Sequence, residues 1–241
     1  MAQPTAWMAW SSGKDSAWAL HVARQRHDVE IVGLLTTVTD AYSRVSMHGV
    51  REELLIAQAE ATDLPLHRVR IPAPCPNEVY ESEMRTALET AARDGITHVV
   101  FGDLFLEDIR AYREAQLARI GMTGVFPLWK RDTTALAREM IDGGLKAHLV
   151  CVDPRRMPRR LAGRAFDDAL LADLPLGVDP CGENGEFHTF ACDGPMFAQP
   201  VPVTLGETVE REGFVFTDLV GSRPSARTAT WQSPPPEARA P

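Results

Sequence analysis

The residues with the most chemistry to offer lie early in this 241-residue chain, in Ser11-Ser12-Gly13-Lys14-Asp15-Ser16. Small residues at 11 to 13 let a backbone come close to a ligand. A helix beginning near Ser16 would present its first free N–H groups, and the positive end of its dipole, to a phosphate or pyrophosphate. Lys14 adds a mobile positive charge, and Asp15 is the type of residue that holds Mg²⁺ beside phosphates. A Walker A loop is excluded: the first glycine of G-x-x-x-x-G-K-[ST] is missing, and Asp15 stands where Ser or Thr is required. The plainer reading of these residues is a strand-to-helix turn with a capping serine.

Two later clusters carry further candidates. Asp103 follows Gly102, and a carboxylate at that place suits Mg²⁺ or a substrate amine, or else caps the next helix. Beyond it, Glu107, Arg110, Tyr112, Arg113 and Glu114 fall on one helix. Spacings of three and four put Arg110, Arg113 and Glu114 on one side, for a ligand or for surface ion pairs. In Cys181-Gly182-Glu183-Asn184-Gly185-Glu186, turn-forming residues separate two carboxylates. Glu183 and Glu186 are expected to project from a tight loop, orient a cationic substrate or ammonia and accept its proton. The alternative is a turn holding two strands. Cys181 is a candidate nucleophile, though nothing in the sequence lowers its pKa.

The elements that must position these residues alternate up to about residue 125, predicting β-α units and a parallel sheet. Strands are expected at Ala6 to Trp10, Glu30 to Thr36, Leu66 to Ile71 and His98 to Phe101. Helices run from Ser16 to Gln25, along a face made by Val50, Leu54, Ala57 and Ala61, and along Tyr80, Met84, Leu88 and Ala91 to a C-cap at Gly95. Ligands of such sheets sit beyond the carboxyl ends of the strands, where the Ser11–Ser16 loop, the loop after Thr36 and Gly102-Asp103 all fall. Later, Asp132 reads as the N-cap of a helix ending at Gly143-Gly144. A strand follows at Ala147 to Val152, then a basic run from Arg155 to Arg164, a solvated face or an anion-binding one. A short helix at Asp167 to Asp173 and strands at Val201 to Leu205 and Phe214 to Leu219 complete the pattern. This divides the chain into 1–126, 127–221 and a disordered tail at 222–241.

The motifs together resemble one family. The loop is similar to the S-G-G-x-D-S pyrophosphate loop of N-type ATP pyrophosphatases, with Ser12 where a second glycine is usual. Arg44-Val45-Ser46-Met47-His48-Gly49-Val50, Gly102-Asp103-Leu104, Pro127-Leu128-Trp129 and the Cys181–Glu186 loop resemble, in order, the motifs of the diphthine–ammonia ligase family. The resemblance implies an α/β, Rossmann-like (adenine nucleotide alpha hydrolase-like, α/β/α) domain with a smaller C-terminal α+β domain. It implies ATP and Mg²⁺ as cofactors, with Ser11, Ser12, Gly13, Lys14, Asp15, Ser16, Leu35, Thr36, His48 and Gly102 binding nucleotide. Adenine would lie along the second strand between Gly33 and Thr36. Asp15 and Asp103 would hold the metal, and Lys14, Asp15, Asp103, Glu183 and Glu186 would serve catalysis. If Ser12 needs a positive φ, its Cβ costs roughly 1 kcal/mol. Trp129 reads most simply as core.

Composition bounds the partners. A net charge of −8 argues against a broad nucleic-acid-binding surface. No apolar run suffices to span a bilayer, and the N-terminus lacks a secretory pattern. Four cysteines without C-x-x-C or zinc spacing fit free thiols in a reducing cytoplasm. The expected activity is an AMP-forming amide ligase acting on ATP, an unidentified carboxylate, and ammonia or another amine, with a homodimer left open. Two alternatives stand beside it: a related enzyme modifying tRNA or another substrate, and a non-catalytic ATP-binding regulator.

Overall fold

The computed structural model describes residues 3–40, 44–45 and 49–222. The elements run β1 (Thr5–Ala9), α1 (Lys14–Arg26), β2 (Glu30–Thr39), β3 (Arg44–Val45), α2 (Glu52–Thr62), β4 (Leu66–Ile71), α3 (Asn77–Arg93), β5 (His98–Val100), α4 (Glu107–Ala118) and β6 (Thr123–Val125). They continue α5 (Thr133–Asp142), β7 (Lys146–Val152), α6 (Asp168–Asp173), β8 (Phe187–Asp193), β9 (Val203–Arg211) and β10 (Phe214–Gly221). The fold is the expected α/β class, with five parallel strands in the order β4-β2-β1-β5-β6. β4 occupies one edge of β2 as far as Thr39, so β3 pairs antiparallel on the other edge, at Val38 and Thr39, beyond the end of β1. A second sheet, β8-β7-β10-β9, is antiparallel throughout.

Alternation along β1 explains the layering. Ala6, Met8 and Trp10 face one way, into a cluster with Trp18 and Leu20 of α1, Leu54 and Leu55 of α2 and Leu136 of α5. Trp7 faces the other way, with Leu88 and Ala91 of α3 and Leu117 of α4. Helices therefore cover both faces, as a parallel sheet requires. The first cluster continues into the second sheet through Leu149, Val152, Phe187 and Phe190, so the two sheets share one core.

Local signals account for several boundaries. Asp132 caps α5 by accepting the Ala135 N–H at 2.8 Å, and Asp167 does the same for α6 from Leu170. Helix α3 ends as its glycine predicts: Gly95 takes φ +88°, and the Ile96 N–H returns to the Ala91 carbonyl. Other boundaries differ. Helix α1 starts two residues before Ser16, and β8 occupies a stretch to which the sequence pattern assigns no element. Strands β9 and β10 form a hairpin longer than the two short strands expected. Trp129 is only partly buried. Its ring stands 5.9 Å from Phe126, and the Arg110 guanidinium lies 4.7 Å from its centroid, so it orders Arg110. No described helix is long and apolar enough to cross a membrane.

Candidate functional site

The strand order reverses at β1, with β2 on one side and β5 on the other. Such a switch point opens a crevice at the carboxyl ends of the strands. The Ser11–Gly13 loop leaves β1 there, and Gly102-Asp103 leaves β5 beside it. Gly102 lies so close that a Cβ would stand 2.8 Å from the Asp15 carbonyl carbon and from the Ser16 nitrogen. The loop after β5 is thus seated against the first turn of α1. Only glycine fits.

The turn itself is built from short polar contacts. Ser12 adopts φ +67°, the left-handed region in which a side chain costs roughly 1 kcal/mol. Ser11 and Ser16 hydroxyls are 3.1 Å apart, the Ser16 hydroxyl donates to the Gly13 carbonyl, and the Gly13 N–H reaches Ser11 Oγ. The Lys14 N–H is already taken by Thr189 Oγ1 of β8 at 3.0 Å. That leaves the N–H groups of Asp15 and Ser16 at the helix end without an intrahelical acceptor. Two buried hydroxyls at this end of the sheet, Ser12 Oγ and Thr36 Oγ1, have no hydrogen-bond partner. Buried polar atoms left unpaired are rare and costly, and they fit a ligand that would complete them.

Lys14 departs from the expectation of a mobile charge on an exposed turn. It is 1% exposed and turned into the second sheet. Its ammonium pairs with both Asp15 oxygens at 2.8 and 2.9 Å, donates to the Cys181 carbonyl, and sits 5.5 and 5.3 Å from the Phe166 and Phe187 ring centres. Burial alone would lower its pKa, but the Asp15 charge and its neighbours outweigh that and leave it raised. Lys14 fastens the loop to the C-terminal half from within. Asp103 is also engaged, by Arg113 at 2.8 Å, and that guanidinium lies 4.5 Å from the Phe101 ring centre. Arg110 pairs with Glu114 at 2.8 Å.

The two glutamates of the Cys181–Glu186 loop do not point outward together. Gly182 bends the chain at φ +69°, where a Cβ would meet Phe187 at 2.9 Å. Glu183 then reaches across to the backbone after Asp103, accepting the Leu104 N–H at 2.7 Å and the Phe105 N–H at 3.4 Å. Burial pushes its pKa up to about 7, against the Leu104 hydrogen bond and with the help of Asp15 and Asp103. Glu186 turns back, is 1% exposed, and takes Asn184 Nδ2 at 3.1 Å and Arg156 at 3.3 Å. It locks its own loop. The Cys181 thiol is 1% exposed and donates to the Thr133 carbonyl at 3.4 Å. Burial raises its pKa, which argues against a nucleophile. In native protein at pH 8, iodoacetamide should modify the more accessible Cys75 well before Cys181. Peptide mapping checks this, and early labelling of Cys181 would restore it as a candidate.

The Glu183 shift gives a signed prediction. A carboxyl whose folded pKa exceeds its unfolded one stabilises at low pH, and that contribution is lost as pH rises from about 4.5 to about 7. Glu183→Gln keeps an acceptor for Leu104 and removes the buried charge. The variant should gain on the order of 2 kcal/mol over wild type at pH 8 and little at pH 5, read by urea denaturation. An equal difference at both pH values would contradict the buried-carboxylate account.

Four of the five arginines of the basic run are paired: Arg155 with Asp153, Arg156 with Glu186, Arg159 with Glu210 and Arg164 with Asp173. His48 lies outside the described residues. One site residue the sequence reading missed is Gln58, wholly buried under the loop. Its signal was present: it falls four residues after Leu54 and three before Ala61, on the apolar face of α2.

A metal fits here only in part. Asp15 and Asp103 have side chains 28% and 15% exposed, each already paired with a cation. No group of three His, Cys, Asp or Glu arranged for a metal occurs among the described residues. Asp15 and Asp103 would supply two carboxylates, and phosphate oxygens would complete the shell, as is usual for Mg²⁺.

Comparison with known proteins shows what the chain is similar to. A family model described as the diphthamide synthase N-terminal domain matches residues 5–124, and one described as the diphthamide synthase C-terminal domain matches residues 132–219. The chain is 26% identical over 218 residues to a diphthine–ammonia ligase of Schizosaccharomyces pombe, covering 83% of this chain and 36% of that protein. It is 27% identical over 219 residues to the enzyme of that name from Danio rerio, covering 83% and 86%. For the one from Homo sapiens the values are 26% over 176 residues, 67% and 66%. The chain thus spans about a third of the yeast relative and most of the fish one.

Proposed function

This chain belongs to the diphthamide synthase family, and on that premise we propose that it is an ATP-dependent amide ligase acting through an adenylated carboxylate. The observation that carries the reading is the seat at the start of α1: the N–H groups of Asp15 and Ser16 with no intrahelical acceptor, the orphaned Ser12 hydroxyl, and Gly102 pressed against the same turn. Residues 1–126 hold the nucleotide in this account, and residues 127–221 close the site.

ATP lies with its adenine along β2 between Gly33 and Thr36, and Thr36 Oγ1 is the buried acceptor or donor nearest that path. The pyrophosphate portion rests on the helix end. Asp15 and Asp103 would hold Mg²⁺, which when bound neutralises phosphate charge. A carboxylate oxygen attacks the α-phosphorus, the bond to the β-phosphate oxygen breaks, and pyrophosphate leaves. Ammonia then attacks the acyl carbon, loses a proton and displaces AMP. The N–H groups at the helix end stabilise charge on the departing pyrophosphate. Glu183, with its pKa near neutrality, is the group suited to exchange a proton with ammonia. Arg113 is a candidate receptor for the acceptor carboxylate. It lines a cleft between α3 and α4 with Tyr80, Met84, Phe101 and Tyr112, and its Asp103 pairing links that cleft to the phosphate seat. By analogy with the relatives' printed name, the acid is diphthine.

Competition calorimetry tests the seat. Inorganic pyrophosphate should compete with Mg-ATP, because the loop grips the leaving group. Mg-ATP binding indifferent to saturating pyrophosphate would remove the assignment.

A further inference from the structure

Gln58 enters the space under the phosphate loop from α2, with its side chain fully enclosed. Both ends of the amide are used. Its Oε1 accepts the Trp10 indole N–H at 2.9 Å, and its Nε2 donates to the Ser12 carbonyl at 3.0 Å and the Ala191 carbonyl at 2.6 Å. The Ala191 N–H of β8 donates to the same Ser12 carbonyl at 2.9 Å. Ser12 is the residue at φ +67°. Its peptide is therefore held by two donors, one from the parallel-sheet half and one from the second sheet, and those two donors are themselves hydrogen-bonded through Ala191.

A left-handed turn is open to glycine and disfavoured for serine, so something outside the turn has to hold Ser12 there. We propose that Gln58 is a positioning residue that holds the phosphate loop in its left-handed turn, with β8 as the other half of the clamp. The loop is then preformed before nucleotide arrives, and binding does not have to order it. A glutamine buried only to fill space would have no need to direct its bonds at this turn and its brace. Here all three go to Trp10 at the end of β1, to Ser12 and to the strand that braces Ser12. The consequence for nucleotide affinity rests on the function proposed above; the consequence for loop shape does not.

The test uses Gln58→Met, which keeps the length of the side chain and removes its hydrogen bonds, and the same change combined with Ser12→Gly. Hydrogen exchange of the amides from 11 to 17 and at 191 is followed in the nucleotide-free protein, and Mg-ATP affinity is measured by calorimetry. Gln58→Met should speed exchange and weaken Mg-ATP binding by about tenfold. Adding Ser12→Gly should recover most of the exchange protection, because glycine takes the turn without a clamp; the rescue is read by exchange alone, since Ser12→Gly also removes a hydroxyl of the seat. Gln58→Glu, which sets an acceptor against the Ser12 carbonyl, should move both readings in the same direction as Gln58→Met and keeps the test open if the methionine variant does not fold. Unchanged loop exchange in the Gln58 variants, or a loss of exchange protection that Ser12→Gly does not relieve, would overturn the proposal. Wild-type protein that bound no Mg-ATP would sink the proposed function instead, and the exchange comparison would still decide this one.

Discussion

Replacing Gly102 by alanine should disable nucleotide binding. The new carbon would stand 2.8 Å from backbone atoms of Asp15 and Ser16, and neither belongs to a flexible side-chain tip that can swing aside. Either the loop after β5 moves off α1 or the first turn of α1 shifts, and each spoils the seat. Overpacking of this kind costs about 1–3 kcal/mol. The larger loss falls on Mg-ATP affinity, at least about tenfold, because donors at a helix end work only when aimed. Calorimetry beside a melting curve measures both. Wild-type affinity in Gly102→Ala would show slack between the two loops and contradict the site as described.

Lys14→Ala should be a stability mutant first and a binding mutant second. A lysine near a phosphate loop invites the opposite expectation, that its removal leaves the fold intact. Its ammonium is instead buried, bonded to Asp15 and the Cys181 carbonyl and flanked by Phe166 and Phe187. Truncation deprives Asp15 of its partner and opens space between the two sheets. Breaking a buried pair from one side costs about 3–5 kcal/mol, and partial exposure of Asp15 puts the expectation near the lower end, about 3 kcal/mol. Urea denaturation with matched m-values gives the number. A loss under about 0.5 kcal/mol would mean that Lys14 is freer than its contacts imply.

The sequence disclosed what depends on near neighbours. Leu66–Ile71 and the Asp132 cap were legible because pattern and capping act over a few residues. So was the cost at Ser12, where the departure from glycine falls on a positive φ. What was hidden depends on distant partners. Nothing in Lys14-Asp15 tells that Phe166, Cys181 and Phe187 will enclose the lysine. Glu183 looked like a free carboxylate because its partners, the Leu104 and Phe105 N–H groups, are backbone and have no residue type to read. Strand β8 was masked by the glycine-rich turn before it and by side chains buried on both faces, which erases the alternation of a half-exposed strand. Arg113 was legible only as one of three charged residues on one side of α4, and its pairing with Asp103 needed the fold.

The products of ATP cleavage test the central claim most directly. The full chain would be incubated with Mg-ATP labelled at the α-phosphate, ammonium, and a protein carrying diphthine, and the nucleotides separated by ion exchange. Attack at the α-phosphorus predicts labelled AMP, with pyrophosphate in equal amount, rising with the acceptor and slow without it because water is a poor substitute for an oriented nucleophile. Acceptor-dependent ADP would mean that the terminal phosphate is transferred, and would contradict the account.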